Sequence, residues 1–352
     1  LETSSTSRRD FLKYVGFSTA VASLAACEGP VTKSIPYVVK PDDIVPGVAD
    51  YYATTMADGF DFANVLVKVR DGRPIKIEPN KDAKHHATNA RVQASVLSLY
   101  DSNRLKAPRI NGEVATWAKI DGEIASKLSE IKNSGEKIAI LSGTIVSPST
   151  LKLIAQFKEQ FGNVEHVMYD SISEDGILDA MEEMYGTRAL PDYDFSKAEV
   201  ILSIGADFLG GWQGGGFSSG YAKGRVPKNG KMSYHVQIES NMTLTGGNAD
   251  KRIMVKPSQQ INALIKLYQA VTSGISTREM TPLNTGIQQV AAKLKSAGSN
   301  AVVVCGINDK NAQLLTLAIN QTLQSAVIDV QNVRYTRKGN TNQVQNLIQD
   351  LK

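Results

Sequence analysis

Beyond Thr116 the chain alternates amphipathic segments with short apolar ones, and this alternation constrains the fold more than any other feature. Apolar runs of strand length predict strands at 137–141, 164–169, 200–204, 233–238, 252–255, 301–305 and 326–330. Helical periodicity falls between most of them, at 117–132, from about 147, and at 174–184, 259–271, 286–295 and 311–323. Strands that alternate with helices form parallel sheets covered by helices on both faces. We therefore expect an α/β fold whose main part consists of doubly wound parallel domains.

The composition of the chain narrows its class. The sequence has 352 residues, of which 42% are hydrophobic and 21% charged, with a formal net charge of +4. This is enough apolar material for a packed core, and the charge is too small to indicate a nucleic-acid partner. The two cysteines, Cys27 and Cys305, are too few for a disulfide framework or for an all-cysteine metal or iron–sulfur site within this chain.

The first 26 residues have the layout of a twin-arginine export signal. Arg8 and Arg9 are followed by Phe11, Leu12 and Lys13 at the spacing of the S-R-R-x-F-L-K pattern. A short and only moderately apolar run of small residues comes next, as in a signal peptide. Because this export route carries folded cargo, the pattern indicates that this protein, or something it travels with, acquires a cofactor or a partner in the cytoplasm before export.

Cys27 ends a lipobox, Leu24-Ala25-Ala26-Cys27, in which the cysteine thiol would accept a diacylglycerol after cleavage. The alternative is an amphipathic or transmembrane helix with an incidental cysteine, but the apolar run is too short to span a bilayer. The several acyl chains of a mature bacterial lipoprotein give stable anchoring. We therefore expect a lipid-anchored protein on the periplasmic face of the cytoplasmic membrane.

Four regions are predicted along the chain. A signal peptide at 1–26 and an extended, Pro- and Lys-rich tether at 27–50 precede a small β-rich domain at 51–110 and an α/β body at 111–352. In the small domain, Asp71-Gly72 separates two strand patterns and predicts a β-hairpin. The helical pattern at 343–351 should lead into a further strand, so we expect a piece of a longer protein or half of a split one.

Few residues suggest chemistry. The stretch 205–211 follows an apolar strand and is either a phosphate-binding loop or a plain crossover loop, while the glycines and serines at 214–220 predict a long flexible loop. Glu239 stands just past a strand, where nucleotide-binding folds often hold a ribose hydroxyl. His85-His86 predicts a surface pair rather than a metal site, and Cys305 an inert core thiol. We predict no catalytic, cofactor-binding or metal-binding residue in this chain.

Two stretches resemble the molybdopterin oxidoreductase superfamily. The hairpin at 65–78, with the segment at 99–108, is similar to the family's cluster-bearing N-terminal domain and its exit into the main body. The residues E-S-N-M-T-L-T at 239–245, Ala249-Asp250 and V-K-P at 255–257 are similar to the family's D-P-R-x-T-x-T, A-D and I-R-P-G signature. The resemblance implies a degenerate iron–sulfur domain followed by α/β domains of that superfamily.

The sequence departs from the family pattern at the ligands of the iron–sulfur cluster and at the segment that contacts the nucleotide. Where the family sets its cysteine motif, this sequence has T-T-M-A-D-G at 54–59, and where the last cysteine is expected it has T-N-A-R at 88–91. No thiolate remains to hold a cluster. The family's P-G-T-D segment is P-S-Q-Q at 257–260, which argues against nucleotide binding.

Together with the export signal and lipobox, a cluster-free sequence of this kind resembles one component of bacterial alternative complex III. It is similar to the N-terminal, molybdopterin-oxidoreductase-like portion of the component that continues into a ferredoxin-like iron–sulfur region. The resemblance implies a non-catalytic scaffold in a quinol-oxidising complex, with no cofactor in this chain and with iron–sulfur clusters and heme elsewhere. It implies a membrane quinol-oxidising subunit, an iron–sulfur region or subunit and multiheme cytochrome subunits as partners.

Two alternatives stay open. The first is an active molybdopterin oxidoreductase large subunit, which would retain its cofactor without the cluster. The second is a lipid-anchored periplasmic solute-binding protein, a class that also uses paired α/β lobes.

Overall fold

The computed structural model describes residues 44–58, 61–228, 230–274 and 281–352. The chain divides into two compact units, Leu1–Pro46 and Gly47–Lys352, and every described helix and strand belongs to the second. In the described ranges no helix combines the length and apolar character that crossing a membrane requires. The predicted export signal, Arg8, Arg9, Phe11, Leu12 and Lys13, and the predicted lipidation site Cys27 lie outside the described residues.

A three-stranded antiparallel sheet comes first. Its strands β1 (Ala49–Ala57), β2 (Phe62–Arg70) and β3 (Arg73–Pro79) pair in chain order. Between β2 and β3, φ is 49° at Asp71 and 73° at Gly72, as a tight two-residue hairpin requires. The predicted hairpin is confirmed.

A short helix covers this small sheet. Helix α1 (Ala90–Ala94) continues into a 3-10 turn (Ser95–Tyr100), and its N-terminus is capped by the side chain of Asn89. Val92 packs with Val65 and their neighbours into a small separate core. This segment is therefore one helical turn followed by a tighter one.

The next segment contains a short hairpin, two long helices and a two-stranded parallel sheet. Thr116 and Ser147 cap the two helices through hydrogen bonds to backbone N–H groups, as their side chains favour. In chain order the elements are β4 (Arg109–Ile110), β5 (Glu113–Val114), α2 (Trp117–Ser134), β6 (Ile138–Ser142), α3 (Pro148–Phe161) and β7 (Val164–Met168). The strands and helices predicted in this segment are confirmed.

The centre of the molecule is a four-stranded parallel sheet. It is preceded by α4 (Asp175–Tyr185) and β8 (Leu190–Tyr193). Its strands β9 (Val200–Ile204), β10 (Tyr234–Glu239), β11 (Lys251–Met254) and β12 (Ala301–Cys305) lie in the order β11-β10-β9-β12. The chain thus adds two strands on one side of β9 and then crosses to the other side, which places a topological switch point between β9 and β12.

Helices and an aromatic cluster cover the two faces of this sheet. On one face, Val200 and Val303 pack against helices, and on the other Ile201 and Val302 pack against Phe195 and its aromatic neighbours. The remaining helices are α5 (Ser218–Gly224), α6 (Leu244–Gly247), α7 (Gln260–Thr272), α8 (Pro282–Ala297), α9 (Lys310–Thr322) and, after β13 (Ile328–Arg334), α10 (Thr341–Asp350). The predicted mixed α/β fold with parallel sheets is confirmed.

One strand pairs differently from the prediction. The run predicted at 326–330 becomes β13, which pairs antiparallel with β8 and not with the parallel sheet. The partner strand β8 is four residues long and contains Pro191, so no alternating pattern marks it in the sequence. The pairing creates a small antiparallel sheet beside α4.

The loops after β9 and β12 touch at the switch point. A methyl group at Gly306 would overlap the carbonyl oxygen of Gly205 and lie 2.8 Å from the backbone nitrogen of Ala206. A methyl group at Gly176, near the start of α4, would lie 2.7 Å from the nitrogen of Asp309. The crevice in which open α/β sheets bind ligands is therefore closed here by backbone contacts.

We expect Gly306→Ala to destabilise the protein by about 2 kcal/mol or more, because the new methyl group collides with backbone that cannot rotate away. The control is Gly122→Ala, in the exposed interior of α2, where nothing lies within 4 Å of the added carbon. That variant should gain roughly 0.5–1 kcal/mol from helix propensity. Urea unfolding of the two variants gives the comparison, and an unchanged midpoint for Gly306→Ala would contradict the closed crevice.

Candidate functional site

A half-buried ion pair joins the two segments in which the resemblance places cluster cysteines. Asp61 lies at the start of β2, shortly after 54–59, and its side chain is fully buried. Its carboxylate accepts hydrogen bonds from Nε and Nη2 of Arg91, both at 2.8 Å, and from Nδ2 of Asn89 at 2.7 Å. Asn89 and Arg91 belong to the second segment, 88–91. Hydrogen bonds between these side chains thus connect the two segments.

The ion pair keeps its carboxylate ionised. Burial alone would raise the pKa of Asp61, but the hydrogen bonds from Arg91 and Asn89 outweigh burial and hold that pKa below its ordinary value. Because Arg91 is half exposed, solvent screens part of this attraction. Within the described residues, no three His, Cys, Asp or Glu side chains are grouped so as to hold a metal ion. The site's chemistry is that of a structural connection.

The glycine-rich loop after β9 lies directly on this ion pair. A methyl group at Gly211 would lie 3.3 Å from Nη2 of Arg91. A methyl group at Gly215 would lie 3.0 Å from the carbonyl oxygen of Gly210 and 3.5 Å from Nδ2 of Asn89. The loop can approach so closely because these positions lack a Cβ. The later part of the predicted flexible loop is helical, since α5 begins at Ser218.

The candidate phosphate loop at 205–211 satisfies its polar groups internally. Oδ1 of Asp207 accepts hydrogen bonds from the backbone N–H and the hydroxyl of Thr245, at 2.9 and 2.7 Å. The hydroxyl oxygen of Thr245 in turn accepts from the N–H of Leu209 at 2.9 Å. With Gly205 in contact with Gly306, this geometry matches a crossover loop and offers little access to a phosphate.

Glu239, the candidate ribose ligand, also points into the protein. Its carboxylate accepts hydrogen bonds from Nε of Arg252 at 2.6 Å, the Thr243 hydroxyl at 2.7 Å and Nε2 of Gln237 at 3.2 Å. Burial would raise the pKa of Glu239, but the bonds from Arg252 and Thr243 lower it overall. A methyl group at Gly246 would overlap the carboxylate. A nucleotide would have to displace all of these donors.

His235 lies on the same face of β10 as Gln237 and Glu239, and its side chain is buried. Its ring lies between the Tyr221 hydroxyl, 3.2 Å from Nδ1, and Oε1 of Gln237, 3.3 Å from Nε2. Its backbone N–H donates to Oδ2 of Asp250, which also pairs with Arg225. Burial lowers the pKa of His235 to about 4, so the imidazole is neutral at neutral pH.

His85 and His86 adjoin each other, whereas His166 and Cys305 lie in the separate strands β7 and β12. His85 is exposed beside the half-buried His86, whose Nδ1 lies 2.8 Å from the carbonyl oxygen of Ala83. Nε2 of His166 lies 2.8 Å from the Ser142 hydroxyl. Cys305 is buried in β12, and burial raises the pKa of its thiol to about 11. A thiol with so high a pKa is a poor nucleophile.

A second group of charges lies behind the glycine-rich loop, and no sequence pattern indicated it. Burial raises the pKa of Glu174, at the start of α4, to about 6 although Arg337 and Arg334 lower it. Arg334 pairs with Asp192 at 3.5 Å and lies over the ring of Phe217. It lines an open cleft of about 570 Å³ between the segments 82–87 and 215–220. These charges are largely paired within the chain, which indicates a structural role.

Comparison with known proteins yields weak matches to subunits of reductases. No protein-family profile matches the chain. The chain is 23% identical over 287 residues to the "arsenate respiratory reductase molybdopterin-containing subunit ArrA" of Shewanella sp. (strain ANA-3), covering 76% of this chain and 33% of that protein. It is 24% identical over 223 residues to the "menaquinone reductase, molybdopterin-binding-like subunit" of Nitratidesulfovibrio vulgaris, covering 58% and 31%.

These matches establish weak homology to molybdopterin-containing reductase subunits, in agreement with the superfamily resemblance. The chain spans about a third of the length of the curated relatives it matches. Among solved structures, a chain of the formyltransferase/hydrolase complex (FhcABCD) from Methylorubrum extorquens aligns with a TM-score of 0.45 and 13% identity, over 61% of this chain and 57% of that one. A likeness that weak carries no argument.

We expect Asp61→Ala to destabilise the protein by about 2–3 kcal/mol, because it leaves the donors of Arg91 and Asn89 without their buried acceptor. The double variant with Arg91→Ala should cost about 1 kcal/mol less than the sum of the two single variants. Asp121→Ala, an exposed aspartate on α2, should change stability by less than about 0.5 kcal/mol. Additive effects at Asp61 and Arg91 in urea unfolding would refute the connection.

We expect the free energy of unfolding to fall as the pH drops from about 6.5 towards 4, because the unfolded chain protonates His235 near 6.5 and the folded chain only near 4. The loss is about 1.4 kcal/mol per pKa unit of difference. His235→Gln keeps a hydrogen-bonding side chain but removes this contribution, so its stability should fall less over that range. Urea midpoints at several pH values measure both curves.

Glu174 has the opposite effect. Its pKa is raised from 4.5 to about 6, so the folded state takes up that proton first and gains stability as the pH falls between those values. The effect is common to the wild type and to His235→Gln, and the difference between their curves therefore isolates the histidine. Parallel curves would show that His235 does not titrate as inferred.

Proposed function

We propose that this chain is the non-catalytic scaffold portion of a periplasmic-facing subunit of a quinol-oxidising electron-transfer complex of the alternative complex III type. The weak homology to molybdopterin-containing reductase subunits supports an oxidoreductase-related role. One relative's name also describes a "molybdopterin-binding-like" subunit of a menaquinone reductase, which supports a link to quinone chemistry. Electrons pass through iron–sulfur clusters and hemes held elsewhere in the complex.

The observation that carries the proposal is that this chain's own side chains occupy the positions at which the superfamily resemblance would place a cluster and a nucleotide. The carboxylate of Asp61 binds Arg91 and Asn89 where a cluster would be ligated. The carboxylate of Glu239 binds Arg252 and Thr243 where a nucleotide would be held. Opening either site would expose a buried carboxylate without its donors, which is costly. A scaffold role requires neither site to open.

One part of the chain has few buried residues, which supports the presence of partner subunits. In the segment 117–166, all of which the structure describes, Thr144 alone is buried. This segment includes α2, α3 and most of the two-stranded parallel sheet of β6 and β7. Parallel sheets are normally buried on both faces. We infer that further protein covers this segment, with the membrane quinol-oxidising subunit, the iron–sulfur part and the multiheme cytochromes as the expected partners.

The location of the protein is part of the proposal and is supported by its sequence pattern. Arg8 and Arg9 direct export through the twin-arginine route, and acylated Cys27 holds the protein on the periplasmic face of the membrane. In Cys27→Ser the label from radioactive palmitate should be lost, whereas Cys305→Ala should keep it, because Cys305 is a buried core thiol.

A mild-detergent pull-down from membranes, followed by metal and heme analysis, tests the proposal. We expect iron–sulfur and heme proteins to co-purify in fixed ratio to the chain, with no molybdenum or tungsten. Cys27→Ser serves as the matched variant, since partner contacts and not the lipid should hold the chain in the complex, and the same proteins should co-purify with it. A solitary protein carrying molybdenum would refute the scaffold and favour the active oxidoreductase. A solitary, metal-free protein stabilised by a small solute would favour the binding protein.

A further inference from the structure

A groove near the small sheet is lined by cations and aliphatic side chains. Its volume is about 450 Å³, and we call it the basic groove. Arg104, Lys106 and Arg109 are exposed along it, and among the described residues no acidic side chain belongs to its lining. The lining consists of Ser102, Asn103, Arg104, Leu105, Lys106, Ala107, Arg109 and Val114. Three positive charges in one groove make it a binding surface for anions.

Two aliphatic side chains project from the same groove. Leu105 is 80% exposed and Val114 is 67% exposed. Such exposure of aliphatic side chains to water is unfavourable, and adjacent exposed apolar residues often mark a binding surface. Arg104 donates from Nη1 to the carbonyl oxygen of Leu99, and Arg109 donates from Nη1 to that of Gly112, each at 2.8 Å. These bonds fix the two guanidinium groups beside the aliphatic side chains.

The basic groove is connected to the end of the small sheet at which β1 begins. The first residue of β1, Ala49, pairs with Arg70, and Arg70 pairs with Arg73 across the hairpin. The Tyr100 hydroxyl donates to the carbonyl oxygen of Pro74, next to Arg73. Tyr100 adjoins Leu99, whose carbonyl oxygen Arg104 binds. The segment that leads into the groove therefore contacts β3 at the end of the small sheet where β1 begins, with β2 between the two strands.

We propose that the basic groove docks on the anionic phospholipid surface of the membrane. The proposal rests on the proposed function in one respect, namely that acylated Cys27 holds the start of the chain at that membrane. Arg104, Lys106 and Arg109 bind headgroup phosphates, and Leu105 and Val114 enter the boundary between headgroups and acyl chains. An acidic partner protein could also bind the cations, but the projecting aliphatic side chains and the position towards the end of the small sheet where β1 begins favour the lipid surface.

Docking gives the protein a second attachment besides its anchor. A lipid on a tether fixes distance from the membrane and leaves orientation free. Binding of the groove selects one orientation, with the small sheet towards the membrane. The tether also raises the effective concentration of the groove at the surface, so a weak intrinsic affinity suffices.

The test uses the chain from Glu28 onward, which lacks the signal segment and the acylated cysteine but contains every described helix and strand. We expect it to co-sediment with phosphatidylcholine vesicles that contain about 30% phosphatidylglycerol, and not with vesicles of phosphatidylcholine alone. Binding should weaken as salt rises from about 0.05 to 0.5 M. The triple variant Arg104→Gln, Lys106→Gln and Arg109→Gln should lose at least roughly tenfold in partition coefficient.

Two further variants make the test specific. Leu105→Ser with Val114→Ser removes the aliphatic contact without touching a charge and should also weaken binding. The control removes three exposed lysines of the α/β body, by Lys223→Gln, Lys293→Gln and Lys295→Gln, and should bind as the parent does. Unfolding midpoints confirm that each variant is folded.

The outcomes separate this proposal from the proposed function. No binding to anionic vesicles, or equal loss in the control, overturns membrane docking even if the pull-down finds the whole complex. Normal vesicle binding by the groove variant, together with loss of a partner in the pull-down, overturns it in favour of an acidic partner protein. Loss of vesicle binding in the groove variants alone supports it whether or not the pull-down finds partners, because neither partners nor acyl chains are present in the vesicle assay.

Discussion

The backbone of Gly306 rests on the backbone of Gly205, where the strand order of the central sheet reverses. In open α/β sheets this boundary is the place at which a crevice forms and a ligand binds. Polar side chains near this boundary form their hydrogen bonds within the chain. Asp207 binds Thr245 just after β9, and Glu239 binds Arg252 at the end of the neighbouring strand β10. Both carboxylates are thus bound inside the protein.

The small sheet also binds a carboxylate through internal hydrogen bonds. Thiolates around a cluster join chain segments by metal coordination, whereas Asp61 and Arg91 join them by paired charged hydrogen bonds. The glycine-rich loop then packs on the guanidinium of Arg91, so the small sheet and the α/β body meet through this pair. Ion pairs of this kind are sensitive to removal of either partner, because the remaining charge stays partly buried.

Much of the fold was predictable because its central strands are continuous apolar runs. The strands at 200–204 and 301–305 agree with the prediction residue for residue, since burial on both faces demands such runs. The short strand β8 was not, because four residues with a proline carry no alternating pattern and its partner lies more than a hundred residues away. The pairing of Asp61 with Arg91 was likewise not predictable from the sequence. Asn89 and Arg91 were noticed as substitutes for a cysteine, but no local pattern links them to a carboxylate 30 residues earlier.

The Asp61–Arg91 pair also affects how the protein is made. A fold held by a metal cluster matures only as fast as the cell delivers iron and sulfide, and it fails when either is scarce. A carboxylate and a guanidinium are supplied by translation itself, so this junction can close as soon as both segments have left the ribosome. Closure of this junction therefore draws on nothing but the chain itself.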